Sequence, residues 1–272
     1  MNLREFVNDN REEGWEKISG YADVVREERH FCAVLYHCML SDPKGMERFL
    51  QLCGVEKKEP SSCREYRVFV EYAMARDLWN CLREDETKNE AKREFLVAHA
   101  ELPSRFSEKS MGVASFNEAL VAGPRSKKYI QSPARWSESS LAIIFAEDRT
   151  SFQKALMLKW AFNIKPDLVI ELDNDEVVCI EAKVESSEDS YGKDGSRKSQ
   201  QDVQEHLMEE LLGYRKVYMK YLCRKKTKMK PDALTWSEAI NAFQGEASAP
   251  VALKEFLGKT RDQIYRKQKG QQ

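Results

Sequence analysis

Two short aliphatic runs, residues 166–172 (PDLVIEL) and 176–183 (EVVCIEAK), flank Asp173-Asn174-Asp175 and constrain this chain more than any other stretch. Asx side chains bond their own backbone and favour tight turns, so the pattern predicts a β-hairpin. Side chains alternate across a strand, which puts Leu168, Ile170 and Leu172 on one face and Asp167, Val169 and Glu171 on the other. The same period pairs Glu181 with Lys183. If Leu168, Ile170, Leu172, Ile180 and Ala182 enter the core, the opposite face gathers Asp167, Glu181 and Lys183 at one end of the hairpin. Glu171, on that face, is expected to be a solvated strand carboxylate.

Two carboxylates beside an ammonium suit a hard divalent cation, Mg²⁺ or Mn²⁺, which keeps several waters and binds phosphate oxygens. Such an ion polarises a phosphoryl group and lowers the pKa of a bound water, and a nearby lysine orients that water or steadies developing charge. Phosphodiester hydrolysis is the reaction this set points to.

Pro166-Asp167, thirteen intervening residues and then Glu181-Ala182-Lys183 resemble the signature of the PD-(D/E)XK nuclease superfamily. The resemblance implies an α/β, restriction-endonuclease-like core of a helix, three strands, a second helix and a further strand. Laid on that order, residues 137–148 are the first helix, with an alternative start at Ser132-Pro133. Residues 154–162 (KALMLKWAF) are the first strand, 201–212 the second helix and 216–223 the last strand. It further implies that Asp167 and Glu181 hold the metal and that Lys183 activates or orients the attacking water. Glu147 or Glu138 would supply an extra acidic ligand, and Gln201 or Gln204 would touch substrate or a motif residue.

The remaining composition bounds the setting. Of 272 residues, 42% are hydrophobic and 33% charged, the balance of a water-soluble globular chain, and the N-terminal segment lacks the layout of a signal peptide, so a cytoplasmic protein is expected. Seven cysteines with no CxxC pair read as reduced thiols; on a helix His30 and His37 stand two turns apart while Cys32 and Cys38 fall on differing azimuths, so these four read as packing residues, as does His99. Net charge is −1, yet residues 1–110 carry 18 basic against 22 acidic side chains and residues 111–272 carry 26 against 23, so the basic bias lies with the motif.

Helical periodicity fills residues 21–101, including a helix over 63–82, and an irregular stretch with Pro103, Gly112 and Gly123-Pro124 follows. The organisation expected is a helical domain over 1–110, a linker over 111–135 and a nuclease-like domain over 136–272, closed by helices over 234–243 and 251–265. Lys193, Arg197 and Lys198 in the polar loop after the motif, and Arg224, Lys225, Lys226 and Lys228 in the run RKKTKMK, are the expected nucleic-acid contacts.

The function expected is a Mg²⁺-dependent nuclease acting on nucleic acid, DNA ahead of RNA, in restriction, defence or repair, with a homodimer or a larger complex open as its assembly. The alternative is a catalytically inactive nuclease-fold scaffold that binds a partner; a small-phosphoester hydrolase would use the same metal chemistry.

Overall fold

A computed structural model describes residues 28–56, 66–108, 110–172, 175–184, 190–191, 198–227, 230, 232–244 and 251–265. In chain order its elements begin with helices α1 (Glu28–Ser41) and α2 (Pro43–Leu52), strand β1 (Tyr66–Val70), and helices α3 (Met74–Leu82), α4 (Asn89–Ala100), α5 (Val113–Leu120), α6 (Glu138–Ile144) and α7 (Arg149–Ala161). The hairpin follows as β2 (Leu168–Leu172) and β3 (Glu176–Ala182), then a short pair, β4 (Ser190–Tyr191) and β5 (Lys198–Ser199). Helix α8 (Gln200–His206), β6 (Lys216–Cys223), β7 (Leu234–Thr235), α9 (Trp236–Gln244) and α10 (Val251–Tyr265) complete the order.

Five strands form one mixed sheet in the order β1-β2-β3-β6-β7. The β1–β2 and β2–β3 pairs are antiparallel, whereas β3–β6 and β6–β7 are parallel, so α8 serves as the crossover that a parallel pair requires. Leu168, Ile170, Leu172, Val178, Ile180 and Ala182 pack into one core with α1, α2, α9 and α10. Val169, Val177 and Cys179 enter a second core with side chains from α3 to α8. Helices thus cover both sheet faces, which is why the central strands are apolar at nearly every position rather than alternating.

Helix α2 shows how tightly the first layer closes. Asp42 caps its first turn by accepting the Gly45 N–H, and a Cβ on Gly45 would stand 2.4 Å from both the Asp42 carboxylate and the Phe243 ring of α9. Only a residue without a side chain lets the two helices approach this closely.

Three expectations change here. The run KALMLKWAF, expected as the first strand, lies in helix α7, whose N-cap Asp148 accepts the Ser151 N–H. Ala155, Leu156, Leu158, Trp160 and Ala161 are all buried, and a helix apolar on most of its circumference has no periodicity to tell it from a strand. The helix expected over 63–82 is replaced by a strand, β1, followed by α3 from Met74; Tyr66-Arg67-Val68-Phe69-Val70 is rich in β-branched and aromatic residues. Because β1 pairs with β2, the sheet draws on both sides of the stretch expected to be a linker. That stretch itself contains α5 and a loop whose backbone is held by Asn117, bonded to Ser126, Tyr129 and Gln131.

Candidate metal-ion and phosphate site

The ends of β2 and β3 bring the candidate residues together. Beyond β1 the strand ladder continues for two more bonds, from the Glu71 and Tyr72 N–H groups to the Asp167 and Pro166 carbonyls, which fixes the backbone just before β2. The Asp167 Oδ2 then accepts the Ala182 N–H at 2.8 Å, tying that carboxyl to the neighbouring strand beside Glu181. Glu181 is fully buried: one oxygen pairs with the Lys183 ammonium, and the other accepts the Gln204 amide of α8 at 2.6 Å. Gln204 is itself buried and accepts the Cys179 thiol from β3 at 3.8 Å.

Lys183 is positioned by its backbone. Its N–H bonds the Leu222 carbonyl of β6 at 2.7 Å and its carbonyl accepts the Trp236 indole of α9 at 3.0 Å, so strand and helix both hold the residue in place. Its side chain keeps 13% exposure, enough to reach a ligand entering from solvent.

Burial and neighbouring carboxylates together set the charge states of the site. Burial first, and Glu181 second, push the Asp167 carboxyl up to about 7, against the opposing pull of the Ala182 N–H and the Lys183 ammonium. Burial draws the Lys183 ammonium down, but its hydrogen bond to Glu181 and the charges of Glu181, Asp167 and Glu28 outweigh it and leave it above the usual lysine value. Under the site, burial raises the Cys32 thiol far above its ordinary value, and four carboxylates add to that: Asp167, Glu181, Glu28 and Glu71.

Glu28 and Glu71 are the residues that sequence reasoning missed. Glu28, in the first turn of α1, accepts the Val184 N–H just past β3 at 3.0 Å. Glu71 follows β1 with a positive φ of 55° and pairs with Arg29 at 3.1 Å and Lys165 at 3.7 Å. Their only sequence signal was an acidic residue at an element end; the pairing that carries them to Asp167 is long-range.

The other candidates separate. Gln204 reaches a motif carboxylate, whereas Gln201 accepts Lys230 at 3.4 Å instead. Glu138 is bonded by Lys159 at 3.0 Å and the Trp160 indole at 3.3 Å, and Glu147 lines a cleft with Glu101 and Asp148 beyond α6. Glu171 is not solvated. It is buried, with one oxygen accepting Tyr72 at 2.9 Å and Tyr214 at 2.6 Å and the other paired with Arg67 at 2.5 Å. The opposite sheet face is a second core rather than solvent, so a carboxylate there must be bonded.

Among the expected nucleic-acid contacts, Lys193, Arg197 and Lys228 lie outside the described residues. Lys198 lines a cleft of about 610 Å³ with His99, Lys154 and His206. Lys226 pairs with Glu238 at 2.9 Å, the Arg224 guanidinium stands over the Tyr265 ring, and Lys225 is exposed.

Among the described residues, no three His, Cys, Asp or Glu side chains have the spacing to hold a metal ion. Asp167 and Glu181 still fit a Mg²⁺-like ion, which takes one or two protein carboxylates and completes its shell with water and substrate phosphate. Burial first and the Glu181 carboxylate second raise Asp167, and a cation bound between the two carboxylates would offset both. No protein-family model matches the sequence, and no curated protein or solved structure matches the chain.

Proposed function

We propose that this chain is a metal-dependent nuclease hydrolysing phosphodiester bonds, with DNA expected ahead of RNA, and that its core is of the restriction-endonuclease-like kind. One observation carries the reading: Asp167, Glu181, Lys183 and Gln204 form one connected group at the strand ends, buried on the protein side and reachable through Lys183. With α2, the five helices between β1 and β2 and the short β4–β5 pair set aside as insertions, the remaining order α1-β1-β2-β3-α8-β6 is helix, three strands, helix, strand with the motif on the second and third strands, which supports the reading.

Each residue has a task in this reading. Asp167 and Glu181 would hold the ion, which when bound supplies Lewis acidity to a phosphoryl oxygen and a more acidic water. Gln204 holds one oxygen of Glu181 and the Ala182 N–H holds Asp167, while the Lys183 ammonium that pairs with the other Glu181 oxygen would swing toward the attacking water as the ion takes its place. Lys183 donates to the attacking water or to the phosphoryl oxygen that gains charge. Water adds to phosphorus as the ester oxygen leaves, giving one phosphate monoester and one free hydroxyl.

The test is cleavage of labelled single-stranded and duplex DNA and RNA in Mg²⁺, Mn²⁺ or EDTA, with Asp167→Ala and Lys183→Ala alongside. Metal-dependent cutting that drops by about 10²-fold or more in both variants is expected. Cutting that survives both substitutions, or none of any substrate, overturns the reading in favour of another site or a partner-binding scaffold.

A further inference from the structure

Two cations that the sequence motif does not include stand at the edge of the site, and both close on one carboxylate. Arg29 follows Glu28, whose carboxylate is bonded at the end of β3, and Lys165 precedes Asp167 by two residues. The Arg29 Nε lies 3.1 Å from one oxygen of Glu71, and the Lys165 Nζ lies 3.7 Å from the other. Their side chains are 65% and 40% exposed, so the grip faces solvent. Glu71 sits where it does at a cost: its φ of 55° is left-handed, a conformation a residue with a Cβ takes up only when its surroundings require it. The left-handed turn there goes with two successive N–H groups, of Glu71 and Tyr72, bonding the Asp167 and Pro166 carbonyls of one neighbouring segment.

We propose that Arg29 and Lys165 grip a backbone phosphate of the nucleic acid beside the one being cut, and that in the free protein Glu71 occupies that phosphate's place. The inference rests on the nuclease reading above. A carboxylate held between a guanidinium and an ammonium has the charge and the paired oxygens of a phosphodiester, and both cations favour such anions. Cations that close on Glu71, whose N–H bonds the Asp167 carbonyl, fit a strand that runs across the site, because its successive phosphates must pass over whatever flanks Asp167. Arg224 and Lys226 are instead engaged with Tyr265 and Glu238 around β6 and β7. Substrate entry exchanges one anion for another, and the Glu71 carboxylate disfavours phosphate until it is displaced.

The experiment is anisotropy titration of labelled duplex and single-stranded DNA with the full chain carrying Asp167→Ala, so that binding is read without cutting, over a series of salt concentrations. Adding Arg29→Gln and Lys165→Gln together is expected to weaken binding by about tenfold or more and to lower the salt slope by about one for each cation removed. Adding Glu71→Asn, which tolerates the left-handed backbone, is expected to tighten binding by up to about fivefold, the range of an exposed ion pair. Unchanged affinity and slope in the Arg29/Lys165 variant, or weaker binding with Glu71→Asn, overturns this inference and leaves the nuclease reading standing where wild type still cuts. Wild-type chain that neither binds nor cuts nucleic acid overturns both.

Discussion

Asp167 shows what a single residue gives up for a charged site. Its carboxyl holds a proton to about pH 7 in the folded chain and ionises near 3.9 when unfolded. Between those values the native state binds the extra proton, so this group's contribution to stability is full below about pH 4 and is lost as the pH rises through about 7. Asp167→Asn is therefore expected to stabilise the metal-free protein at pH 8 by on the order of 1–3 kcal/mol and to change little at pH 4. Thermal melts in EDTA at the two pH values check this, and equal shifts at both would sink it. Added Mg²⁺ at pH 8 should raise the wild-type melting temperature and leave the variant's where it is. Glu171 is the opposite case, a buried carboxylate whose partners are all in place. Glu171→Leu leaves the Tyr72 and Tyr214 hydroxyls with only each other to bond, at 3.2 Å, and should cost roughly 2–4 kcal/mol, read as a lower urea midpoint at unchanged slope. The trio of Asp167, Glu181 and Lys183 was legible because strand alternation is local. Glu28, Glu71 and the burial of Glu171 were not, because each depends on a partner far away in the chain.

At the scale of elements, legibility followed the strength of the local pattern. Strands β2, β3 and β6 and helix α10 lie where their patterns place them, and α9 starts two residues later than expected, after the short strand β7. Helix α7 was misread because tertiary burial erases the polar face that marks a helix, and β1 because five residues between helical patterns carry little periodicity of their own. Close packing gives the element-level prediction. Gly45→Ala drives a methyl group against the Asp42 cap and the Phe243 ring, and α2 must shift away from α9. A loss of about 1–3 kcal/mol is expected in denaturant melts, with Gly45→Ser no better. An unchanged midpoint would mean that the helices can part freely.

For the molecule as a whole, the sheet is assembled from residues on either side of the long helical segment between β1 and β2, and both cores use that arrangement. A fragment beginning at residue 111 keeps the motif strands yet lacks β1, α1 and α2, and so lacks the edge partner of β2 and the Phe31, Leu35, Met46 and Phe49 side chains of the first core. It is expected to show no cooperative urea transition by circular dichroism, while residues 28–265 retain one. A sharp transition in the fragment would mean that the two sides fold independently. The overall class, α/β, was expected from the resemblance that the hairpin motif carries, whereas the mixed sheet order appears only in the structure. The depth of the interleaving was not, since no local signal reports which strand lies beside β2.

That interleaving sets a timetable for synthesis. Strand β1 is complete at Val70, and its partner begins at Leu168. At roughly 5–20 residues per second, β1 waits some 5–20 s for the strand it pairs with. Through that interval an aromatic, β-branched segment is exposed without a neighbour, which is the form of chain that chaperones hold and that aggregates when they do not.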